Sequence, residues 1–204
     1  MIAIVDYGAG NLNSVKKAFD FLGADVVVTD QPETLAAADK VVLPGVGHFS
    51  SLQALDRAGL RNALLQNAAA GKPFLGICLG MQWLFEGSEE CPELAGAGIF
   101  PGKCRKFPSL VKSPHVGWNS LAVTEGSRLL RRIAQHSFVY YTHSFHAPVV
   151  AETTAASEYG LRFAGAVERG NIFGVQFHPE KSGDVGLSIL KNFCEIESVR
   201  SKRC

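Results

Sequence analysis

The stretch PFLGICLGMQWLF (73–85) decides how this chain is read. Five apolar or small residues run into Cys78, and a helix-compatible segment follows at once. Gly76 and Gly80 stand two residues to either side, giving G-x-C-x-G, the thiol form of a strand–turn–helix nucleophile elbow. A nucleophile at the top of such a turn has a strained backbone, and only residues without side chains at these spacings let the neighbouring segments close in. The start of the helix sets backbone N–H groups and a positive dipole end beside the sulfur, which favours thiolate. The N–H of Leu79 then points where an oxyanion would form. Taken alone, the segment also fits an inert, buried cysteine between packing glycines.

Working outward, IAIVDY (2–7) is a parallel-strand pattern, and GAGN (8–11) is the loop after it. Gly8 and Gly10 lack the third glycine of a dinucleotide fingerprint, so a tight strand-to-helix turn is the reading. Leu12, Val15, Phe19 and Leu22 then recur at helical spacing up to Gly23. ADVVVTD (24–30) reads as a strand, with Asp30 and Pro32 opening a short helix through Ala38. KVVLPGVG (40–47) is a strand running into a Pro-Gly-x-Gly loop, and helical segments follow to Gly71. Four such alternations predict an α/β fold: an open, mostly parallel, twisted sheet with helices on both faces. Ligands bind such sheets at the carboxyl ends of the strands, where residues 44–47 and Cys78 both fall.

Beyond Phe85 the pattern becomes more antiparallel. Residues 87–109 read as loop with short strands, and HVGWNSLAV (115–123) and SFVYYTHSFHAPVV (137–150) as strands. SRLLRRIAQ (127–135) reads as a short helix capped by Ser127. LRFAGAVERGNIFGVQF (161–177) reads as two strands turning at Arg169-Gly170-Asn171. The last helix, capped by Ser182 or Asp184, should carry Leu187, Leu190, Phe193 and Cys194 toward the core. One domain over residues 1–204 is expected from the length.

With 47% hydrophobic and 19% charged residues and a net charge of +1, the composition is that of an ordinary soluble globular protein. Basic residues are not massed outside the end VRSKRC (199–204), read as a frayed terminus, so no nucleic-acid partner is expected. Asp6 arrives too early for a signal peptide, and no apolar run is long enough to span a bilayer. Cysteines 78, 91, 104, 194 and 204 form no C-x-x-C pair, which points to reduced thiols in a cytoplasmic protein.

A thiol nucleophile needs a base, and the base an orienting group. GVQFHPE (174–180) offers both: His178 leaves a buried strand, and Glu180 follows at i+2, on the same face in extended geometry. His143 and His146 would face opposite sides of a strand, making them poor co-ligands, and no metal is expected. Tyr140, Tyr141, Trp118 and Trp83 read more readily as core than as ligand platforms.

PGVG (44–47), GICLGMQ (76–82) and FHPEKS (177–182), in this order and separation, resemble the class I (triad) glutamine amidotransferases along essentially the whole chain. DYGAGNLNSV (6–15), PGVGHF, CLGMQ followed by SEE (88–90), HVGWN (115–119) and YYTHSF (140–145) look most like the glutaminase subunits of imidazole glycerol phosphate synthase. Related synthetase glutaminases share the cysteine and His-x-Glu but lack DYGxGN and HVGWN. His48 departs from the pattern, where a small residue is expected.

The resemblance implies a flavodoxin-like fold and no cofactor. It implies hydrolysis of L-glutamine to glutamate and ammonia by Cys78, His178 and Glu180. Gly47, Gln82, Glu90, Ser144 and Phe145 would hold the substrate, with Glu90 at its α-ammonium. Asn11, Trp118, Tyr141 and Lys181 would be interface or gate positions toward a separate (β/α)8-barrel cyclase that receives the ammonia. An oxyanion hole needs two donors. Leu79 N–H is one and Val46 N–H the expected second, with glycines 45 and 47 letting the Gly45–Val46 peptide turn its carbonyl into the hole at rest. Open alternatives are the glutaminase of another amidotransferase, another thiol hydrolase using the same triad, and a redox module using Cys78 alone.

Overall fold

The computed structural model describes residues 1–197, so the reading of 199–204 lies outside the described residues. The strands are β1 (Ile2–Val5), β2 (Val26–Thr29), β3 (Lys40–Gly45), β4 (Phe74–Cys78), β5 (Gly87–Ser88), β6 (Lys103–Lys106), β7 (His115–Ser120) and β8 (Ala122–Val123). They continue as β9 (Phe138–His143), β10 (Phe145–His146), β11 (Thr153–Glu158), β12 (Arg162–Arg169) and β13 (Ile172–Val175). The helices are α1 (Leu12–Phe21), α2 (Pro32–Ala37), α3 (Gln53–Arg57), α4 (Leu60–Ala69), α5 (Leu79–Trp83) and α6 (Gly183–Glu195).

The central sheet has eight strands in the order β2-β1-β3-β4-β13-β12-β11-β8. The first five are parallel, and β12, β11 and β8 continue the sheet antiparallel. The parallel part follows the flavodoxin order, with β13 in fifth place. Period-two alternation divides the core between the two faces. In β1, Ile2 and Ile4 pack with Phe19 of α1 and Phe193 of α6, whereas Ala3 and Val5 pack with Leu35 of α2 and Leu64 of α4.

The structure corrects several expectations. Residues 127–135 form turns, not a helix. Ser127 does act as a cap, its Oγ accepting from Leu130 N–H at 3.0 Å. The helix breaks at Arg132, whose φ is 62°, and Asn192 of α6 donates to the carbonyls of Leu129 and Arg131 at 2.9 and 2.8 Å, supplying the partners that i+4 amides would have provided. On α6 the buried residues are Gly186, Ile189, Leu190 and Phe193, while Leu187 and Cys194 are only partly covered. Residue Gln31 rather than Asp30 is the N-cap of α2, and it makes no side-chain cap bond.

Apart from the main sheet, β7 and β9 pair antiparallel, with Trp118 opposite Tyr140 and Gly117 opposite Tyr141. This ribbon lies against the carboxyl edge of the parallel strands, tied there by His178 N–H donating to Tyr140 C=O at 2.9 Å.

Candidate active site

Cys78 ends β4 with φ 54° and ψ −106°, a conformation uncommon for any residue with a side chain. The flanking glycines make room for it. A Cβ on Gly80 would overlap the carbonyl oxygen of Leu43, and one on Gly76 would lie 2.5 Å from Gly80 O. The thiol is 5% exposed. Its Sγ accepts from Gln176 Nε2 at 3.6 Å and reaches Thr142 C=O at 4.0 Å. With only five residues in α5, the helix dipole is a weaker aid to the sulfur than the sequence implies.

Parallel pairing of β13 with β4, Val175 opposite Ile77, carries the next residues out beside the cysteine. His178 Nδ1 lies 2.9 Å from Glu180 Oε1, with side chains 2% and 1% exposed. The pair is not built on extended backbone as expected. Pro179–Lys181 form a 3-10 turn, held by Lys181 N–H to His178 C=O and by Ser182 Oγ–H to the same oxygen at 2.6 Å. The turn folds the carboxylate back onto the ring. As a carboxylate, Glu180 only accepts, so the Nδ1–H donates, and in the neutral ring Nε2 carries the lone pair that takes the thiol proton to give the imidazolium. Nε2 has no hydrogen-bond partner among the described residues. Burial pushes the imidazole pKa down, but Cys78 and then Glu180 outweigh it and raise the ring above its ordinary value.

Beside the thiol is a cavity of about 250 Å³. Gly47, Gln82, Glu90, Ser144 and Phe145 all line it, together with Cys78 and Leu79. Pro114, Thr142 and His143, which sequence reasoning did not select, line it too. Glu90 Oε2 accepts from Phe49 N–H at 2.8 Å, tying the wall to the loop after β3. Gln82 Nε2 donates to Phe145 C=O at 2.9 Å and to Gln176 Oε1 at 3.2 Å. His143 and His146 do not face apart: Ser144 interrupts the strand, and both rings pack on Phe107 at 5.1 and 4.9 Å. His143 Nδ1 donates to Phe145 C=O at 2.8 Å, leaving Nε2 to accept from His115 Nδ1 at 3.3 Å. Burial lowers the pKa of His115 to about 4 and that of His143 to about 3, so both are neutral. Among the described residues no group of three or more His, Cys, Asp or Glu could hold a metal ion.

In the loop, Gly47 has φ 98°, a left-handed conformation suited to glycine. Gly45 serves close approach rather than rotation, because a Cβ there would strike the Tyr7 hydroxyl and Leu79. That hydroxyl is itself buried without a partner. His48 is exposed and caps the turn Phe49–Leu52, Nδ1 accepting from Ser50 N–H at 3.1 Å.

Register in the β7–β9 ribbon settles which aromatics face outward. Val116, Trp118 and Phe138 are 57%, 54% and 58% exposed, and Tyr140 shares their face. Trp118, read first as core, is at the surface, with Tyr140 edge-on at 6.1 Å and Lys181 Nζ over the Tyr140 ring at 5.9 Å. Tyr141 points the other way. It is wholly buried with its hydroxyl 2.8 Å from Ser157 Oγ, so the outward-facing position expected of it is held by Tyr140 instead. Asn11 stands at the N-cap of α1 without a side-chain cap bond. No described helix is long and apolar enough to cross a membrane.

Relatives named imidazole glycerol phosphate synthase subunit HisH are similar along their length. The protein of Methanothermobacter thermautotrophicus is 49% identical over 197 residues, covering 96% of this chain and 98% of that one. A Bacillus cereus relative is 47% identical over 206 residues, covering 100% and 99%. Among solved structures, a glutamine amidotransferase superposes with a TM-score of 0.75 at 18% identity, covering 96% of this chain and 100% of that one. PurLQS from Thermotoga maritima gives a TM-score of 0.71 at 18% identity, covering 95% and 97%. The family model "Glutamine amidotransferase class-I" matches residues 3–196, and the chain belongs to that family.

Proposed function

We propose that this chain is the glutaminase half of an imidazole glycerol phosphate synthase, a single catalytic domain working in the cytoplasm with a (β/α)8-barrel cyclase as a separate partner chain. The carrying observation is the strained Cys78 at the mouth of a small polar cavity, with the buried His178–Glu180 pair alongside. Identity near 47–49% to HisH subunits over nearly their full length supports the same role.

In this reading L-glutamine enters the cavity, with the second Glu90 oxygen near its α-ammonium and Gln82 Oε1, which no donor among the described residues occupies, as a further acceptor. His178 Nε2 takes the thiol proton, and Cys78 Sγ attacks the side-chain carboxamide. The oxyanion is met by Leu79 N–H and, once the loop is turned, by Val46 N–H. Collapse of the adduct expels ammonia, which leaves with the proton from His178. The thioester is then cleaved by water that the same imidazole deprotonates, releasing glutamate and the thiol. Glu180 keeps the ring in the Nδ1–H tautomer throughout.

Ammonia in neutral water is protonated and lost as a nucleophile, so its exit must be enclosed. The exposed apolar face Val116–Trp118–Phe138–Tyr140 is suited to bury against the cyclase, with Lys181 at its margin; Asn11, at the start of α1, is the further interface position that the family resemblance implies. The cyclase then delivers the nitrogen into imidazole glycerol phosphate and an aminoimidazole carboxamide ribotide, within histidine biosynthesis. Co-purification with a (β/α)8-barrel cyclase and an assay of glutamate formation tests this. Glutamate should form in the complex and at a far lower rate in the isolated chain. Full turnover by the chain alone, or none in the complex, refutes it.

A further inference from the structure

Gln176 is wholly buried in the apolar run leading from β13 to His178, where an uncharged amide has no packing advantage over leucine. The partners around it admit one orientation of its amide. The carbonyl of Phe145 can only accept, and it already accepts from His143 Nδ1 at 2.8 Å. The Gln82 atom 2.9 Å from it is therefore the nitrogen. That nitrogen has a second hydrogen, and its other neighbour, 3.2 Å away, must be the oxygen of Gln176. The nitrogen of Gln176 is thereby turned the other way, to 3.6 Å from Cys78 Sγ. A relay of two buried amides, anchored on one backbone carbonyl, aims an N–H at the sulfur.

We propose that Gln176 is a further catalytic residue, whose side-chain N–H donates to Cys78 Sγ and stabilises it as thiolate, with Gln82 as the residue that positions it. This rests on Cys78 being the nucleophile. The donor acts twice. It favours transfer of the thiol proton to His178 before attack, and it favours the sulfur again as the leaving group when the thioester is cleaved. In the thioester the sulfur is neutral and the bond is weak, so the donor discriminates between states of the cycle. A Gln82 that holds Gln176 while lining the substrate cavity also joins glutamine binding to activation of the thiol.

The other groups facing the sulfur are His178 beyond β13, Tyr7 beyond β1, Cys104 of β6 and Glu90 across the cavity. Burial pushes Tyr7 and Cys104 up, keeping both neutral. Glu90 is tied to Phe49 N–H. His178 is thus the sole cation in this set, and Gln176 the neutral donor.

Gln176→Met and Gln176→Glu keep the length of the side chain and remove the donor, the second adding an anion. The measurement is the pH dependence of Cys78 alkylation by chloroacetamide, followed by mass of the Cys78 peptide in the purified chain. The midpoint should move up by about one pH unit in Gln176→Met, the scale of a hydrogen bond to a charged group, and further in Gln176→Glu. Glutamine turnover in the cyclase complex should fall about 10- to 100-fold in Gln176→Met, with KM little changed. A residue that only fills space would leave the midpoint where it is, and an unmoved midpoint in folded variants overturns the proposal. Should the variants not fold, the wild-type side-chain amide signal of Gln176 decides by nuclear magnetic resonance. It should titrate with the alkylation midpoint and go flat in Cys78→Ala; a signal flat in the wild type refutes the role. Alkylation needs no glutamine, so a Gln176-dependent midpoint without glutaminase activity would count against the function alone.

Discussion

Replacing Glu180 with Gln removes a charge and almost no volume. Glu180 Oε1 is 2.9 Å from His178 Nδ1, and Oε2 is buried with no partner. The amide can turn either way. With its oxygen toward Nδ1–H the tautomer survives and the charge that stabilises imidazolium is lost; with its NH2 toward the ring, Nδ1 becomes the acceptor and the resulting Nε2–H tautomer can no longer take the thiol proton. Both orientations weaken the base. A charge-assisted bond contributes about 1.5–3 kcal/mol and a neutral one about 0.5–1.5, while breaking a buried pair outright costs about 3–5. The expected loss is therefore roughly 2–4 kcal/mol in the barrier, or about 30- to 1000-fold in kcat. This is less than the roughly 10⁴ of the Asp→Asn change in the serine-protease triad, since a thiol needs less help from its base. KM should change little, because Glu180 does not line the substrate cavity. Glutamate formation by the cyclase complex, with kcat and KM separated, is the assay. An unchanged kcat would remove Glu180 from the triad, and a defect confined to KM would make it a binding residue.

Cys78→Ala should abolish glutamine-dependent product while cyclisation with external ammonium persists; its His178 pKa, read by imidazole titration, should fall because burial then faces Glu180 alone. Equal loss of both activities would contradict that division. Gly80→Ala should cost more than ~3 kcal/mol, roughly 10 °C in melting temperature, because the new Cβ meets the immobile Leu43 carbonyl. A melting temperature within two or three degrees of wild type would refute the close-approach argument. Asn192→Leu should destabilise by about 1–2 kcal/mol and speed amide exchange across residues 128–133, since two carbonyls lose their donor. Trp118→Ala should leave the melting temperature unchanged and weaken binding of the cyclase by about 30-fold, as expected of an aromatic anchor worth about 2 kcal/mol. Unaltered affinity would move the interface elsewhere.

The parallel half of the fold was legible because its signals are local. Apolar runs of strand length, helical spacing in 12–22 and glycines at ±2 from Cys78 report backbone requirements met within a dozen residues. The His178–Glu180 pair was legible as neighbours in the chain, though the 3-10 turn that joins them was not. The 127–135 segment misled for the opposite reason. Its own propensity and cap are helical, and the competing donor, Asn192, comes from more than sixty residues away.

By itself, then, the sequence determined the alternation of strand and helix in the first half, the elbow and the pairing of His178 with Glu180, while the order of the strands, with β13 as the fifth parallel one, came only from the structure. Only the tertiary structure decided what surrounds the sulfur. Thr142 reaches it through a backbone carbonyl, which carries no sequence signal. Gln176 is 98 residues from Cys78 in the chain, and its one visible trace is a polar side chain inside an apolar run. Tertiary structure also chose between Tyr140 and Tyr141. Adjacent strand residues face opposite sides, so a single step in register separates a buried core tyrosine from a surface one, and only pairing with β7 sets that step.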